Sequence, residues 1–149
     1  MTLLQKLRDD LNKALKKGDK ARVSVLRLVL ANINNAEIAQ RASLDDDGIL
    51  GIIAKQIKLH RESIDAFSKG NRQDLVAKEE SELAVLLEYL PEQMSREEII
   101  AAARQVIAEV EVRSPSDKGK VMSKLMSQLK GKAEGREVNA VVSELLANL

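Results

Sequence analysis

The chain has 149 residues, of which 44% are apolar and 32% charged, with 24 lysines and arginines against 23 aspartates and glutamates. A chain of this length and composition buries a sizeable core, which excludes a disordered protein, and its even charge excludes a strongly basic nucleic-acid coat. The absence of cysteine excludes thiolate nucleophiles, disulfides and cysteine-ligated metal sites. With two prolines, seven glycines and two aromatic residues, little material remains for a β-rich fold, so we expect a mostly helical protein.

The apolar residues recur at three- and four-residue steps in seven stretches, each bounded by ordinary signals for the start or the end of a helix. In chain order, the seven predicted helices cover approximately residues 3–17, 19–41, 45–69, 72–90, 95–110, 115–130 and 135–146. No repeat of 20–50 residues is visible, so a solenoid is not expected.

Two signals predict a domain boundary between the fourth and fifth helices. Pro91 disfavours helix at the residue before it, and Ser95 with Glu98 has the spacing of a capping box, which starts a new helix. We therefore predict an all-α protein with a four-helix N-terminal domain over residues 1–91 and a three-helix C-terminal bundle over residues 92–149.

No segment predicts export or membrane insertion. The first residues lack a basic region followed by an apolar run, and the densest apolar stretch, 23–33, is interrupted by Ser24, Arg27 and Asn32. The sequence predicts a cytoplasmic protein with no membrane partner.

The even total charge conceals a basic segment in the C-terminal domain. Residues 113–136 carry a net charge of +5, between flanking segments 92–112 at −3 and 137–149 at −2. Lys120 and Lys124 are four residues apart, so they project from one side of the predicted helix. A solvated helix face explains this pattern, and so does a surface that binds phosphate groups.

Glycines support the phosphate interpretation. Gly119, Gly131 and Gly135 leave backbone uncovered among the cations, although Gly131 is also explained as a helix C-cap. The C-terminal domain has no aromatic side chain on which an unstacked base can stack, and lysine suits phosphate better than base edges. The pattern therefore favours recognition of the shape and backbone of a folded RNA.

The sequence predicts no catalytic residue, no metal site and no cofactor. His60 lies among charged residues in the middle of a predicted helix and is interpreted as a surface residue. The acidic run 45–47 is explained by helix capping. The glutamates of the fourth helix have no histidine three residues further on, so they are interpreted as solvated surface; they are Glu79, Glu80, Glu82 and Glu88.

Motifs along nearly the whole chain resemble the YqeY family, which shares a domain with the C-terminal tail of the B subunit of glutamine-dependent aminoacyl-tRNA amidotransferase. In the C-terminal half the motifs are Gly119-Lys120-Val121-Met122-Ser123-Lys124-Leu125-Met126, Lys130-Gly131-Lys132-Ala133-Glu134-Gly135 and Val138-Asn139. In the N-terminal half they are Arg22-Val23-Ser24-Val25-Leu26-Arg27, Glu37-Ile38, Arg61-Glu62-Ser63, Phe67, Gly70-Asn71-Arg72-Gln73-Asp74-Leu75 and Tyr89-Leu90-Pro91-Glu92-Gln93.

The resemblance implies an all-helical protein whose C-terminal domain contacts the outer corner of tRNA. This sequence departs from the family pattern at four positions. Lys132 and Glu134 replace the usual Arg and Asp, and Ser123 and Ser127 stand where Gly and Pro are common. From the motifs and the basic segment, the predicted RNA-binding residues are Lys118, Gly119, Lys120, Lys124, Lys130, Gly131, Lys132, Gly135 and Arg136.

The leading functional hypothesis is an accessory module that binds tRNA or another structured RNA and has no catalysis of its own. The second hypothesis is a helical adaptor for a protein partner in translation. The third, implied by the resemblance alone, is participation in carbon–nitrogen ligase activity with glutamine as amide donor; the glutaminase, nucleotide and metal sites of that enzyme lie in parts that this chain lacks.

Overall fold

The computed structural model describes residues 1–91, 93–129 and 131–148, with the backbone alone of Pro115, and every regular element among them is helical. Seven α-helices follow one another, and a 3₁₀ turn precedes the sixth. Their bounds are α1 Leu3–Lys17, α2 Lys20–Gln40, α3 Asp46–Lys69, α4 Gln73–Leu87, α5 Arg96–Glu109, the 3₁₀ turn Pro115–Asp117, α6 Lys118–Leu129 and α7 Gly135–Ala147. The predicted all-α class is confirmed.

The chain forms two compact units, Met1–Leu90 and Pro91–Leu149. The first contains α1 to α4, with α3 packed chiefly against α4 and α1 against α2. Its core is formed by buried aliphatic side chains and one aromatic ring, namely Leu7, Val25, Leu26, Val29, Ile33, Ile49, Ile53, Ile57, Leu83, Val85, Leu86 and Tyr89.

The second unit packs α5, α6 and α7 against one another. Its core contains no aromatic residue and is formed by Ile99, Ala103, Val106, Val121, Leu125, Leu129, Ala133, Val138, Val141, Val142 and Leu146. Met122 and Met126 are partly buried against it. Each helix of this unit therefore has one inward stripe fixed by aliphatic burial, and its opposite face is left to the solvent.

The predicted helix starts at Asp45 and Ser95 are confirmed. The Asp45 side chain accepts a hydrogen bond of 2.8 Å from the backbone N–H of Gly48. Ser95 and Glu98 form the complete capping box that their spacing predicts.

Two helix boundaries differ from the prediction by three residues, and the others agree to within one. Helix α4 ends at Leu87 rather than Leu90, and the N–H groups of Tyr89 and Leu90 bond three residues back, because Pro91 disfavours α-helix at the residue before it. Helix α6 starts at Lys118 rather than Pro115, because the preceding turn is 3₁₀. The Asp117 side chain accepts a 3.1 Å bond from the Arg113 N–H across that turn.

The early end of α4 places Tyr89 where it links both ends of the N-terminal unit. Its ring is buried, and its hydroxyl donates a 2.6 Å hydrogen bond to Asp10 of α1. Burial raises the pKa of Tyr89, and the bond to the Asp10 carboxylate raises it further. The hydroxyl therefore stays protonated as a donor.

The interpretation of His60 and Glu82 as surface residues is wrong. His60 is 7% exposed and Glu82 is 8% exposed, because α3 and α4 pack along their length and bring these side chains face to face. Glu79 is half-buried beside them. Only Glu80 and Glu88 of the four glutamates lie at the surface as predicted.

We expect the link between α2 and the end of α4 to lose its stabilising effect in acid. Two hydrogen bonds, 2.6 and 3.2 Å long, join the Arg22 guanidinium to Glu88. The bond to Arg22 lowers the pKa of Glu88, although desolvation opposes it. Because the pKa of Glu88 is lower in the folded chain than in the unfolded chain, its ionised form stabilises the fold. This contribution is complete at pH values above the unfolded-state pKa of about 4.3, and it is lost as the pH falls through the folded-state pKa.

Glu88→Gln is therefore expected to lower the free energy of unfolding by about 0.5–1 kcal/mol near neutral pH, a value kept small because the Glu88 side chain is 54% exposed. The difference from the unmodified chain narrows on acidification. Urea unfolding at about pH 7 and about pH 3 measures it, with Glu80→Gln as the surface control. An equal loss at both pH values would contradict the role of the ionised carboxylate.

Candidate nucleic-acid interface

The burial of α6 determines which of its cations reach the solvent. Val121, Leu125 and Leu129 point into the core of the C-terminal unit. Lys120 and Lys124 lie one turn apart on the outward face, with side chains 76% and 44% exposed. These two predicted RNA-binding residues are therefore brought together on one accessible surface.

Lys118 does not share that surface. It is the half-buried first residue of α6, two positions before Lys120. Two positions correspond to about 200° of rotation around a helix, so the two side chains leave α6 on nearly opposite sides. Lys118 is among the predicted RNA-binding residues because it is close to Lys120 in sequence. The geometry of α6 separates the two side chains in space.

Each exposed lysine of α6 faces a carboxylate. The Nζ atom of Lys124 lies 2.6 Å from Glu109 of α5, and that of Lys120 lies 3.7 Å from Asp117. The bond from Lys124 lowers the pKa of Glu109. The pKa of Asp117 is lowered chiefly by the backbone N–H of Arg113, with a smaller effect of Lys120. Both carboxylates are therefore ionised at neutral pH.

The loop after α6 is fixed by backbone geometry. Gly131 has a φ of +79°, a conformation that residues with a Cβ rarely adopt, so the C-cap explanation of this glycine is sufficient. The Gly131 carbonyl accepts a 3.0 Å bond from the Gln93 side chain, and the Lys132 carbonyl accepts a 2.9 Å bond from the Met94 N–H. These bonds hold the loop against the chain before α5.

The side chain of Lys132 is exposed on this loop. Within residues 1–91, 93–129 and 131–148, no carboxylate lies within ion-pair distance of it. Lys130 was also predicted to bind RNA, and it lies outside the described residues.

Helix α7 begins at Gly135, with Arg136 exposed in its first turn. The N-cap residue Glu134 makes no side-chain hydrogen bond to the first turn, whose N–H groups point out of the helix end. Acidic Glu137 also lies in this turn. A Cβ at Gly135 would meet only the Met126 methyl group, at an ordinary 3.8 Å.

Gly119, unlike Gly131, is not required by backbone geometry. It is exposed within α6, and no heavy atom lies within 4 Å of the position that a Cβ would occupy. A glycine in the middle of a helix costs about 0.5–1 kcal/mol relative to alanine, and Gly119, in the first turn of α6, costs at most this much. The surface beside Lys120 is thus left uncovered at some expense of helix stability.

Two participants in this surface were missed by sequence reasoning. Glu109 pairs with Lys124 across two helices, and Gln93 holds the Gly131 carbonyl from 38 positions away. Both contacts depend on how helices pack, and no local pattern predicts either one.

Comparison with known protein families gives a match to the Yqey-like protein family over residues 4–146. Relatives named "Altered inheritance of mitochondria protein 41, mitochondrial" include one from Pyrenophora tritici-repentis, 32% identical over 91% of this chain and 75% of its own length. The relative from Lachancea thermotolerans is 36% identical over 74% of this chain and 60% of its own length. That from Saccharomyces cerevisiae (strain YJM789) is 28% identical over 96% of this chain and 68% of its own length.

These names contradict the predicted cytoplasmic location, because they describe the relatives as mitochondrial proteins. Among the described helices, none combines the length and the apolar character needed to cross a membrane.

We expect Gly131→Ala to destabilise the C-terminal unit by about 1–2 kcal/mol, because alanine must adopt the left-handed conformation to keep the loop closed. Gly135→Ala is the matched control, since its backbone is ordinary and its Cβ would have room. Urea unfolding of the two full-length variants measures the difference. Equal stability of the two would contradict a requirement for glycine at position 131.

Proposed function

The chain belongs to the YqeY-like family, and on that premise we propose that its C-terminal unit binds tRNA or another structured RNA. The contact surface is the outer face of α6 with the loop that follows it. The observation that carries the proposal is the placement of Lys120 and Lys124 on one exposed helix face beside the uncovered backbone of Gly119. The family resemblance to a tRNA-contacting tail supports it.

The ion pairs of the two lysines do not prevent this role. The pair of Lys124 with Glu109 joins two exposed side chains, and such pairs contribute about 0–1 kcal/mol, so an RNA phosphate can replace Glu109 at little cost. The contact of Lys120 with Asp117 is long, at 3.7 Å, and leaves the lysine 76% exposed. The carboxylates also keep the lysine side chains near the outward face when no RNA is bound. Lys132, on the loop, adds a cation without a carboxylate partner among the described residues.

The types of residue determine the manner of recognition. Lysine offers a mobile point charge, which suits phosphate oxygens, and lacks the planar fork with which arginine reads a guanine edge. The C-terminal unit contains no aromatic side chain that could stack on an unpaired base. The surface therefore suits the backbone of a folded RNA and reads its shape rather than its base sequence.

We propose no reaction at this surface. Its side chains supply positive charge and hydrogen-bond donors, and the sole histidine of the chain lies in the other unit. The role that fits is an accessory one, in which the unit holds RNA.

We propose binding of a protein partner as the second candidate function. Among the described residues, large apolar side chains with high exposure occur in the N-terminal unit alone; they are Met1, Leu15, Leu28, Ile38, Leu59 and Leu87. Exposed apolar surface favours contact with another protein. Co-purification after nuclease treatment tests this candidate. It is supported if one protein is recovered in stoichiometric amount with the full chain and is lost when Leu28→Ser and Ile38→Ser are combined.

We expect binding to total tRNA to weaken steeply with salt, because each neutralised phosphate releases counterions. Changing Lys120, Lys124 and Lys132 together to glutamate is expected to reduce affinity by about tenfold or more and to flatten the log–log salt slope by about two to three. Filter-binding titrations at two salt concentrations measure both quantities.

The control is a second triple variant with the same change of net charge, Lys55, Lys58 and Lys78 to glutamate, on exposed positions of α3 and α4. It is expected to bind tRNA nearly as well as the unmodified chain. Equal losses in the two triple variants would show that total charge, rather than the α6 surface, governs binding.

We expect Gly119→Ala to separate stability from binding. Alanine is the better helix former, so the variant is expected to gain stability, by at most about 0.5–1 kcal/mol because Gly119 lies in the first turn. Its tRNA affinity is expected to fall severalfold, because the Cβ covers the backbone that the phosphate approaches. Gly51→Ala is the control, since Gly51 is also exposed within a helix and has open space around it. It should stabilise α3 and leave RNA binding unchanged. Unchanged binding in both variants would remove Gly119 from the interface.

A further inference from the structure

The interface of α3 and α4 contains three side chains of the kinds that ligate metals. His60 projects from α3, and Glu79 and Glu82, three residues apart, project from the same face of α4. The His60 Nε2 atom lies 3.1 Å from a Glu82 carboxylate oxygen and 3.6 Å from one of Glu79. One ligand atom from each residue lies within 4.8 Å of the other two.

The orientation of the imidazole directs Nε2 at two carboxylate groups. The Nδ1 atom lies 2.8 Å from the backbone carbonyl oxygen of Gln56, which can only accept a hydrogen bond, so Nδ1 carries a proton. Nε2 then faces two carboxylates. In a neutral imidazole with a proton on Nδ1, Nε2 has a lone pair, which repels a carboxylate oxygen. A proton or a metal ion between them is needed to hold them together.

The balance of charge favours a divalent ion over a proton. A protonated His60 neutralises one of the two carboxylates, whereas a divalent cation neutralises both while the imidazole stays neutral. This difference matters because His60 and Glu82 are buried, where uncompensated charge is costly.

We propose that His60, Glu79 and Glu82 form a binding site for a divalent transition metal of the Zn²⁺ class. Zinc bonds to nitrogen and oxygen ligands are about 2.0–2.1 Å long, which at tetrahedral angles separates neighbouring ligand atoms by about 3.3 Å. The two distances from Nε2 fall on either side of this value. The mixture of imidazole and carboxylate suits zinc better than magnesium or calcium, which prefer oxygen ligands alone.

The surroundings match those of a zinc site. The non-ligating nitrogen of a metal-bound histidine usually donates to a carbonyl or carboxylate oxygen, as Nδ1 does to Gln56. The second oxygen of Glu82 accepts a 3.5 Å hydrogen bond from the Ser24 hydroxyl of α2. The Glu79 side chain is 20% exposed, which gives an ion a route from solvent and leaves a fourth position for water.

This site is independent of the proposed RNA surface, because its residues and their contacts lie in the N-terminal unit. Full-length protein treated with chelator and then dialysed is titrated with Zn²⁺ alone by calorimetry, and bound metal is counted after equilibrium dialysis. The expected result is one Zn²⁺ per chain. Removing a residue that only hydrogen-bonds to a metal ligand typically weakens metal binding by about 10- to 100-fold. Glu79→Gln removes a ligating carboxylate itself, so it should weaken binding by about 100-fold or more.

Glu80→Gln is the matched control, because Glu80 is the exposed neighbour of Glu79 on α4 and the change of charge is identical. Circular dichroism checks that both variants fold. Failure of the unmodified chain to bind Zn²⁺, or equal binding by Glu79→Gln and Glu80→Gln, would overturn the proposal.

The single histidine of the chain gives a second readout that does not depend on a variant. The ¹⁵N imidazole resonances belong to His60 alone. Addition of Zn²⁺ is expected to shift the Nε2 resonance strongly while Nδ1 keeps its proton. An Nε2 resonance that stays unchanged in saturating Zn²⁺ would reduce the cluster to a histidine–glutamate ion pair and refute the metal site.

Discussion

Burial of aliphatic side chains in two separate cores is the constraint on which every other feature of the chain depends. With one phenylalanine and one tyrosine in 149 residues, large aromatic rings contribute little, and leucine, isoleucine and valine on successive helical turns fill nearly all the buried volume. Such side chains stabilise the fold only in close contact, so each helix must present a continuous inward stripe. The polar residues must then occupy the remaining faces.

The C-terminal unit shows how this constraint forms the surface proposed to bind RNA. Val121, Leu125 and Leu129 fix the rotation of α6, and that rotation alone places Lys120 and Lys124 outward. The lysines need no dedicated scaffold, because the core that stabilises the unit also orients them. The two lysines repeat at the interval of one helical turn, which is the basis on which we propose a phosphate backbone as their partner.

The sequence was sufficient for features that depend on neighbours in the chain. Helical spacing predicted the seven helices, and local capping residues predicted their starts at Asp45 and Ser95, since these signals act over three or four residues. It failed where partners are distant. His60 looks like a surface residue among charged neighbours, and it is buried because α4 brings Glu82 to it from 22 positions away. Lys118 lies apart from Lys120 for a different reason, because adjacency in sequence does not imply a shared helix face.

Both units place carboxylates beside basic side chains, but the exposure of these groups to solvent differs between the two places. At Lys124 and Glu109 water screens both charges, so the pair contributes little and exchanges its partners readily. At the cluster of His60, Glu79 and Glu82, the first and the last are buried, so any charge there interacts more strongly and must be compensated locally. Exchangeable pairs suit the transient binding of a large polyanion. The buried cluster suits a small ion held in a fixed geometry, and rigid packing of α3 on α4 supplies that geometry.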